Sequence, residues 1–497
     1  MRGKVRWAHL RSVLRAILLA GSALFLIVYL AIVAARIAYP FELEWMEGAS
    51  LQQVQRILSG QSLYVAPNLD FIPLVYPPLY YHLSALMAAL IGGTFLPLRL
   101  VSFLASLSSC AVIYLLIRRE SENTFAALLG SGLFIATFRL SEAWFDLARI
   151  DSLFLFFLLA AIYLARFYPT RRGQLAAGAA LALAFITKQT AFFVALPIMA
   201  GVLILHRRAA LHLVGSAALL MLASTATLET LHRGWYLYYT VYLPRQHTMA
   251  TRMLMGFWTR DIAAPFWPTA LLAILYIIGN LLRERRARVA LFYLVVAAGM
   301  VGVSWAGRLN RGGFKNALLP AYALLCILFG LALAYVLAHL KKQTARERVA
   351  ELAIYALCVA QFLLLVYNPI RQIPTAQDRA AGWELVQTIR SLPGDVLIPY
   401  HPYLLTLAGK PAHAHWTGME ELIGLYGGGE TPEGTRLLGE LRDAIANRRY
   451  SALFLDEAWD VASSYVNQGP LFAQEDVFWP VTGWRTRPQY IYRPREE

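Results

Sequence analysis

The feature that most constrains this chain is a series of apolar runs, each about as long as a lipid bilayer is thick. One run is ILLAGSALFLIVYLAIVAA near the N-terminus, another is AYALLCILFGLALAYVLA, and similar runs recur as far as Tyr367. The hydrocarbon core of a bilayer is roughly 30 Å thick, a distance that about 20 helical residues cross. Inside that core every backbone polar group needs an internal partner, so open strands are excluded. The sequence therefore predicts a polytopic α-helical membrane protein.

Composition and charge agree with this class. Hydrophobic residues make up 58% of the 497 residues and charged residues only 15%, which is not the balance of a soluble globular protein. The net charge of +15 does not indicate a nucleic-acid partner, because much of the Lys and Arg lies in short clusters between the apolar runs. Such clusters are typical of the cytoplasmic ends of membrane helices. The expected surroundings are membrane lipids, without nucleic acid.

The basic clusters also predict how the chain crosses the membrane. The cluster from Arg2 to Arg15 places the N-terminus in the cytoplasm, and clusters such as 118–119 and 341–342 mark further inner ends. The piece PPLYYHLSALMAALIGG is interpreted as an interfacial helix, since counting it as a span would move the cluster at 118–119 outside. About eleven spans remain, near residues 14–38, 98–117, 123–138, 152–167, 174–187, 190–205, 211–230, 262–281, 289–305, 317–339 and 350–367.

Two long segments lie outside these spans. The first outer loop, residues 39–97, follows the first span and contains Glu42, Glu44 and Glu47. The C-terminal domain, residues 369–497, begins where the long apolar runs stop. Its GWELVQTIRSL predicts an amphipathic helix, and its GDVLIPYH and YSALFLDEA predict strands. We expect a transmembrane domain over residues 1–368 and a small exoplasmic α/β domain over residues 369–497.

With that orientation, the ionisable residues that hydropathy does not explain gather at the outer face. Charged groups near hydrocarbon are costly and are often functional. Acids and bases collected at one face suit a substrate with an anionic headgroup and an apolar tail. Besides the three glutamates, they are Arg139, Glu142, Asp146, Arg149 and Asp151 in the second outer loop, then Lys188, then Arg245, His247, Arg252, Arg260 and Asp261, and finally Arg308, Arg311 and Lys315.

Four stretches, in this order, resemble the GT-C glycosyltransferases, the polytopic enzymes that use polyprenyl-phosphate sugars. They are the acidic ELEWMEG after the first span, the double-proline YPPLYYHL, the acid before the fourth span in ARIDSL, and the basic GRLNRGGFKNALLP before a late span. The likeness covers about residues 1–330 and is greatest to the bacterial branch related to protein O-mannosyltransferases and aminoarabinose transferases. It implies a GT-C-like fold in a bacterial inner or plasma membrane.

The resemblance also implies a reaction. A carboxylate of the first outer loop would act as general base on an acceptor hydroxyl, which attacks the anomeric carbon of a polyprenyl-phosphate-linked sugar. The acceptor would be a lipid, a glycan or a protein. The family has an Asp-Glu pair where this chain has Glu44-Trp45-Met46-Glu47. The spacing to Gly60 matches Glu47 to the second acid, and Glu44, one helical turn earlier, is the favoured base.

The resemblance gives the other outer-face residues roles around the lipid phosphate and the sugar. Asp151 would be a third catalytic residue or a ligand of a divalent cation, Mg²⁺ or Mn²⁺, although the sequence establishes no cofactor. Cationic and polar side chains would hold the phosphate and position the substrate. Those expected to do so are Arg149, Lys188, Arg308, Arg311, Lys315, Tyr76 and His247.

Plainer interpretations stay open beside these. The glutamates could simply cap a helix N-terminus in a solvated turn. Arg149 and Asp151 could form a local ion pair, and Lys188 could extend to the membrane interface. Two other functions also remain. A transporter or flippase of lipid-linked sugars would need charges along a path through the bilayer, and a non-catalytic membrane scaffold would lack a cavity between the first outer loop and Lys188.

Overall fold

The computed structural model describes residues 2–340 and 344–496, and all their side chains except those of residues 2–6 and 285. The basic pair at 341–342, used above to orient the chain, lies outside the described residues. Helices dominate. They are α1 Arg2–Arg36, α2 Glu47–Leu58, α3 Leu79–Ile91, α4 Phe95–Ser121, α5 Thr124–Ala136, α6 Asp151–Phe167, α7 Arg171–Phe185, α8 Ala191–Leu205, α9 Arg207–Leu231, α10 Trp235–Leu237, α11 Met253–Gly256, α12 Ala264–Leu281, α13 Glu284–Leu309, α14 Leu319–His339, α15 Ala345–Leu363, α16 Ala376–Ser391, α17 Tyr403–Leu407, α18 Trp416–Leu422 and α19 Pro432–Ala446.

A helix lies at each of the eleven positions that the sequence predicts as spans. Those that are long and apolar enough to cross a membrane, within the described residues, are six: Trp7–Arg36, Phe95–Ser121, Arg207–Leu231, Met253–Leu281, Arg286–Leu309 and Lys315–His339. The helices at the other positions are shorter or more charged, so the count of eleven spans stays a prediction. The class of the fold, a multi-pass helical membrane protein, is confirmed.

Helix α14 forms the centre of the helical bundle. Its residues 319–334 are all buried, which its continuous apolar sequence permits. Helix α5 approaches it closely because a glycine of each helix faces the other: a Cβ added at Gly130 would lie 2.9 Å from the Cys326 carbonyl oxygen, and one added at Gly330 would lie 3.0 Å from that of Ala126. Small residues of this kind let membrane helices pack backbone against backbone.

The predicted strands of the C-terminal domain belong to a four-stranded sheet. Its strands are β1 Val396–Leu397, β2 Ala452–Leu455, β3 Tyr465–Pro470 and β4 Tyr490–Pro494, in the order β1-β2-β4-β3. Strand β1 pairs with β2 in parallel, with Val396 opposite Ala452, and the other pairs are antiparallel. The predicted amphipathic helix is α16. The small α/β unit at the C-terminus is therefore confirmed, while its boundary at residue 369 stays a prediction.

The first outer loop and the C-terminal domain share one apolar core. Phe41, Leu43 and Val54 of the loop are buried in the same cluster as Ile389 and Leu404 of the domain. Helices α2 and α3 lie in this loop, at the places where the sequence predicts a helical turn and an interfacial helix. The loop is consequently fixed between the helical bundle and the C-terminal domain, and the acidic residues lie at that junction.

Candidate functional site

Glu47 is the structural anchor of the acidic turn. It begins α2 fully buried, and both of its oxygens are engaged by Arg99 of α4, at 3.0 Å from Nε and 2.6 Å from Nη2. The backbone N–H groups of Leu43 and Ala148 donate to the same carboxylate at 2.7 and 2.6 Å. These donors, led by the Arg99 charge, outweigh burial and lower the pKa of Glu47. Glu47 is an ionised carboxylate with no oxygen left free.

Glu44 has a very different environment. It is 1% exposed, and its side chain accepts from Arg149 Nη1 at 3.3 Å and from the Met46 N–H at 3.3 Å. Burial raises the pKa of Glu44 to about 8, against the opposing charge of Arg149 and with added repulsion from the other two glutamates. A carboxyl group with a pKa near neutrality is suited to take up a proton from a hydroxyl.

Glu42 joins the first outer loop to the C-terminal domain through a histidine. His401 Nδ1 lies 2.5 Å from Glu42 Oε2, and His401 Nε2 lies 2.9 Å from Asp456 Oδ2. All three side chains are buried, and the other Glu42 oxygen accepts from the Gly48 N–H at 2.9 Å. Two carboxylates outweigh burial and raise the pKa of His401 to about 10, so the imidazole is a cation. Burial raises the pKa of Glu42 to about 7.

Asp151 and Lys188, predicted to lie on the same side, are in direct contact. Lys188 Nζ is 2.7 Å from Asp151 Oδ1, which also accepts from Asn316 Nδ2 at 3.1 Å. Trp144 Nε1 donates to the second oxygen at 2.9 Å. The sequence suggests an Arg149–Asp151 ion pair as one alternative, but in the structure Arg149 pairs with Glu44 and lies over the Trp144 ring, 5.5 Å from its centroid.

Of the basic residues in the last turn of α13 and in the connection to α14, two are engaged in ion pairs. Arg308 Nε lies 2.9 Å from Asp261 Oδ2, and Lys315 Nζ lies 2.7 Å from Glu142 Oε1. Arg311 is exposed, and its side chain has no partner among the described residues, so it remains available to an anion. The first two contribute to holding the outer loops together in the form the structure shows.

His247 and Tyr76 are each influenced by charged side chains of other segments. His247 Nε2 is 2.6 Å from Glu421 of the C-terminal domain, and that carboxylate raises the pKa of His247 against burial. Tyr76 is half-buried, and the charges of Arg149 and Lys188 reach its hydroxyl strongly enough to oppose the rise in pKa caused by burial. Tyr76 is thus close enough to Arg149 and Lys188 for their charges to act on its hydroxyl.

A divalent cation does not fit these residues as the structure arranges them. Within residues 2–340 and 344–496, no three or more His, Cys, Asp or Glu side chains are arranged so that they could hold a metal ion together. The oxygens of Asp151, the predicted ligand, already accept from Lys188, Asn316 and Trp144. A divalent cation bound to Asp151 would have to displace Lys188.

Three residues of this junction were not found from the sequence: Arg99, His401 and Asp456. Arg99 is an arginine at the start of an apolar span, and a fully buried charge in such a helix indicates a specific partner. Asp456 directly follows β2 and His401 lies four residues after the end of β1, and these two strands are parallel neighbours that end side by side. The sequence places both residues at the predicted strands, but their contact with each other depends on how the C-terminal domain folds.

Comparison with known proteins finds one family model that matches part of the sequence and several solved structures with a similar fold. Residues 75–231 match the family described as dolichyl-phosphate-mannose-protein mannosyltransferase. No protein of curated function matches the chain by sequence. The crystal structure of ArnT from Cupriavidus metallidurans bound to undecaprenyl phosphate is similar with a TM-score of 0.60 and 14% identity, over 95% of this chain and 97% of that one.

A second group of similar structures is archaeal. The oligosaccharyltransferase AglB from Archaeoglobus fulgidus, in complex with an inhibitory peptide and a dolichol-phosphate, has a TM-score of 0.52 and 11% identity, over 87% of this chain and 69% of that one. The Archaeoglobus enzyme tethered to an acceptor peptide gives 0.52 and 12%, over 88% and 69%. At such identities the likeness shows the fold. Together with the family match, it confirms the resemblance predicted from the sequence.

Proposed function

We propose that this chain, whose fold and family match are those of the GT-C glycosyltransferases, transfers a sugar from a polyprenyl-phosphate donor to an acceptor hydroxyl at the exoplasmic face. The observation that carries the proposal is the buried Glu44–Arg149 pair, with its carboxyl pKa raised to about 8, where the first outer loop, the second outer loop and the C-terminal domain meet. Similar structures contain undecaprenyl phosphate or dolichol-phosphate, which supports a lipid-phosphate donor.

In this proposal Glu44 is the general base. It takes the proton of the acceptor hydroxyl, and the oxygen forms a bond to the anomeric carbon on the face opposite the lipid phosphate. The bond from that carbon to the phosphate oxygen breaks, and the phosphate leaves with the electron pair. Glu47, with both oxygens engaged by Arg99 and backbone N–H groups, positions the turn that presents Glu44.

Cations near Glu44 would stabilise the charge that develops on the leaving phosphate. Within the described residues, the Arg149 guanidinium makes one hydrogen bond, to Glu44, so N–H donors remain for a ligand. Lys188, oriented by Asp151, is proposed as a second donor. Arg311, which is exposed and has no side-chain partner among the described residues, is proposed as a third. A well-placed donor of this kind is worth roughly 3 kcal/mol in the transition state. Asp151 acts here by positioning Lys188.

The test is release of polyprenyl phosphate by the purified protein from a panel of polyprenyl-phosphate sugars. Glu44→Gln is expected to lower the release rate at least about 100-fold, since general-base catalysis contributes roughly 10²–10⁴. Glu351→Gln is the matched control, because Glu351 is also buried, and among the described residues its side chain bonds Tyr355 of the same helix, α15. Full activity of Glu44→Gln in a folded protein would refute the mechanism, and sugar translocation without phosphate release would identify a flippase instead.

A further inference from the structure

Three aromatic rings form a cluster directly beside Glu44. Trp45 is its neighbour in the chain, and Tyr400 and Trp484 come from the C-terminal domain. The ring centroids lie 5.3 Å apart for Trp45–Trp484, 5.5 Å for Tyr400–Trp484 and 5.8 Å for Trp45–Tyr400, all edge to face. Trp45 and Tyr400 are 8% and 4% exposed, whereas Trp484 is 46% exposed. One exposed indole thus stands on two buried rings.

The segment that carries Trp484 is fixed on both sides. Before it, the Thr482 N–H donates to the Leu43 carbonyl at 3.2 Å, and the Thr482 hydroxyl donates to the Glu142 carbonyl at 2.5 Å. After it, the Thr486 hydroxyl donates to Asp456. The indole is therefore held in place before any ligand arrives, which lowers the conformational entropy that binding would cost.

This segment also touches the candidate base. Gly483 has a φ of +78°, and a Cβ built there would lie 2.7 Å from Cγ of Glu44, so its backbone rests on the glutamate side chain. A molecule whose hydroxyl bonds to Glu44 must place the atoms next to that hydroxyl near the adjoining indole. Exposed tryptophans are ordinary by themselves, as Trp383 at 40% exposure illustrates. The fixed support and the contact with Glu44 distinguish Trp484.

We propose that Trp484, supported by Trp45 and Tyr400, is a stacking platform for a sugar ring of the acceptor, so that the acceptor is a glycan. The inference rests on the proposed function and specifies its acceptor. A sugar ring has a flat face of C–H groups that packs on an indole, and hydroxyls at its edge that need acceptors. One exposed carboxylate is near: Glu457 lies close enough to act electrostatically on Tyr400 and on buried Glu420, which itself accepts from the Tyr400 hydroxyl at 2.9 Å.

The test measures binding without catalysis. Methyl glycosides of hexoses and N-acetylhexosamines are mixed with the purified full-length protein, and saturation transfer from protein to their ring C–H protons is recorded by NMR. We expect transfer in the wild type, weakening by roughly three- to tenfold in affinity in Trp484→Ala, and recovery in Trp484→Phe. Trp383→Ala, a second exposed tryptophan of the same domain, is the matched control and should leave binding unchanged.

Four other outcomes would contradict a glycan-binding platform. Absence of saturation transfer to any glycoside in the wild type would overturn it, as would glycoside binding that Trp484→Ala does not change. Saturation transfer to a Ser-containing tripeptide, if it is lost in Trp484→Ala, would assign the platform to a protein acceptor. If brominated phospholipid vesicles quench the part of the tryptophan fluorescence that Trp484→Ala removes, the Trp484 platform contacts the membrane instead. The binding measurement contains no donor, so it does not depend on the transfer reaction. Glycoside binding that Trp484→Ala weakens, together with no release of lipid phosphate in the separate assay with polyprenyl-phosphate sugars, would retain the platform and refute the transfer reaction.

Discussion

At the scale of single residues, three glutamates within six positions have three different environments. Glu47 is ionised by Arg99 and by backbone donors, Glu42 faces the cation of His401, and Glu44 has one guanidinium contact at 3.3 Å. Burial is common to all three, so the number and distance of the donors decide the difference. Glu42 shares the raised pKa, but His401 and the Gly48 N–H engage both of its oxygens. Within the described residues the hydrogen bonds of Glu44 reach only Oε2, which is why Glu44 is the proposed base.

The pH dependence of the reaction follows from this. Glu44 acts in its ionised form, so kcat/KM is expected to rise with pH and level off above a pKa of about 8. Glu42→Gln removes a neighbouring anion whose repulsion raises the pKa of Glu44, and its removal favours ionised Glu44. The midpoint of the pH–rate curve should therefore move to lower pH. Glu384→Gln, at an exposed position of α16, is the control. An unchanged midpoint in Glu42→Gln would contradict the assignment of the pH–rate curve to the ionisation of Glu44.

At the scale of elements, the Glu47–Arg99 pair joins the start of α2 to the start of α4. Arg99 also donates to the carbonyls of Tyr39 and Phe41, at 2.6 and 2.7 Å, so one guanidinium closes the end of α1, the acidic turn and α4 together. Its side chain and that of Glu47 are fully buried. Removing one partner of such a pair leaves an uncompensated charge, which is more costly than the pair is favourable.

We expect Glu47→Gln to lower the free energy of unfolding by about 3–5 kcal/mol, measured by thermal or denaturant unfolding in detergent. The lowered pKa of Glu47 makes its contribution present above its unfolded pKa of roughly 4.3 and lost as the pH falls through the folded value. Glu440→Gln breaks the exposed Arg436–Glu440 pair and should cost less than about 1 kcal/mol. Equal effects of the two substitutions would contradict the anchoring role.

At the scale of the whole molecule, the C-terminal domain is part of the candidate site. It contributes His401 and Asp456 to the Glu42 bridge, Glu421 to His247, and Gly483 to the cover over Glu44. It also shares an apolar core with the first outer loop. Deleting it would expose that core and the base, so activity of a truncated chain is not a clean test of its role. A single substitution at the bridge is sharper.

His401→Gln is that substitution. Glutamine is neutral, and without the cation the carboxylates of Glu42 and Asp456 lose the charge that holds them together. Hydrogen exchange of backbone amides in residues 42–50 is expected to accelerate at least about tenfold, while amides of α5 and α14 keep their protection. His413→Gln is the control, because in the part of the chain that the structure describes the His413 ring bonds the Val396 carbonyl, inside the C-terminal domain. Uniform acceleration throughout the bundle would indicate general destabilisation and contradict a local bridge.

The sequence by itself determined the class of this protein, because apolar runs of bilayer length require helices. It also predicted, from the order of basic and acidic stretches, that Glu44, Asp151, Lys188 and Arg311 lie at one membrane face, and this orientation stays a prediction. The tertiary structure decided the partners. Arg99 engages Glu47, Arg149 engages Glu44, and His401 engages Glu42 across more than a hundred residues in one case and several hundred in another. Which buried carboxyl group keeps a high pKa depends on donors that only the folded chain brings within hydrogen-bonding distance.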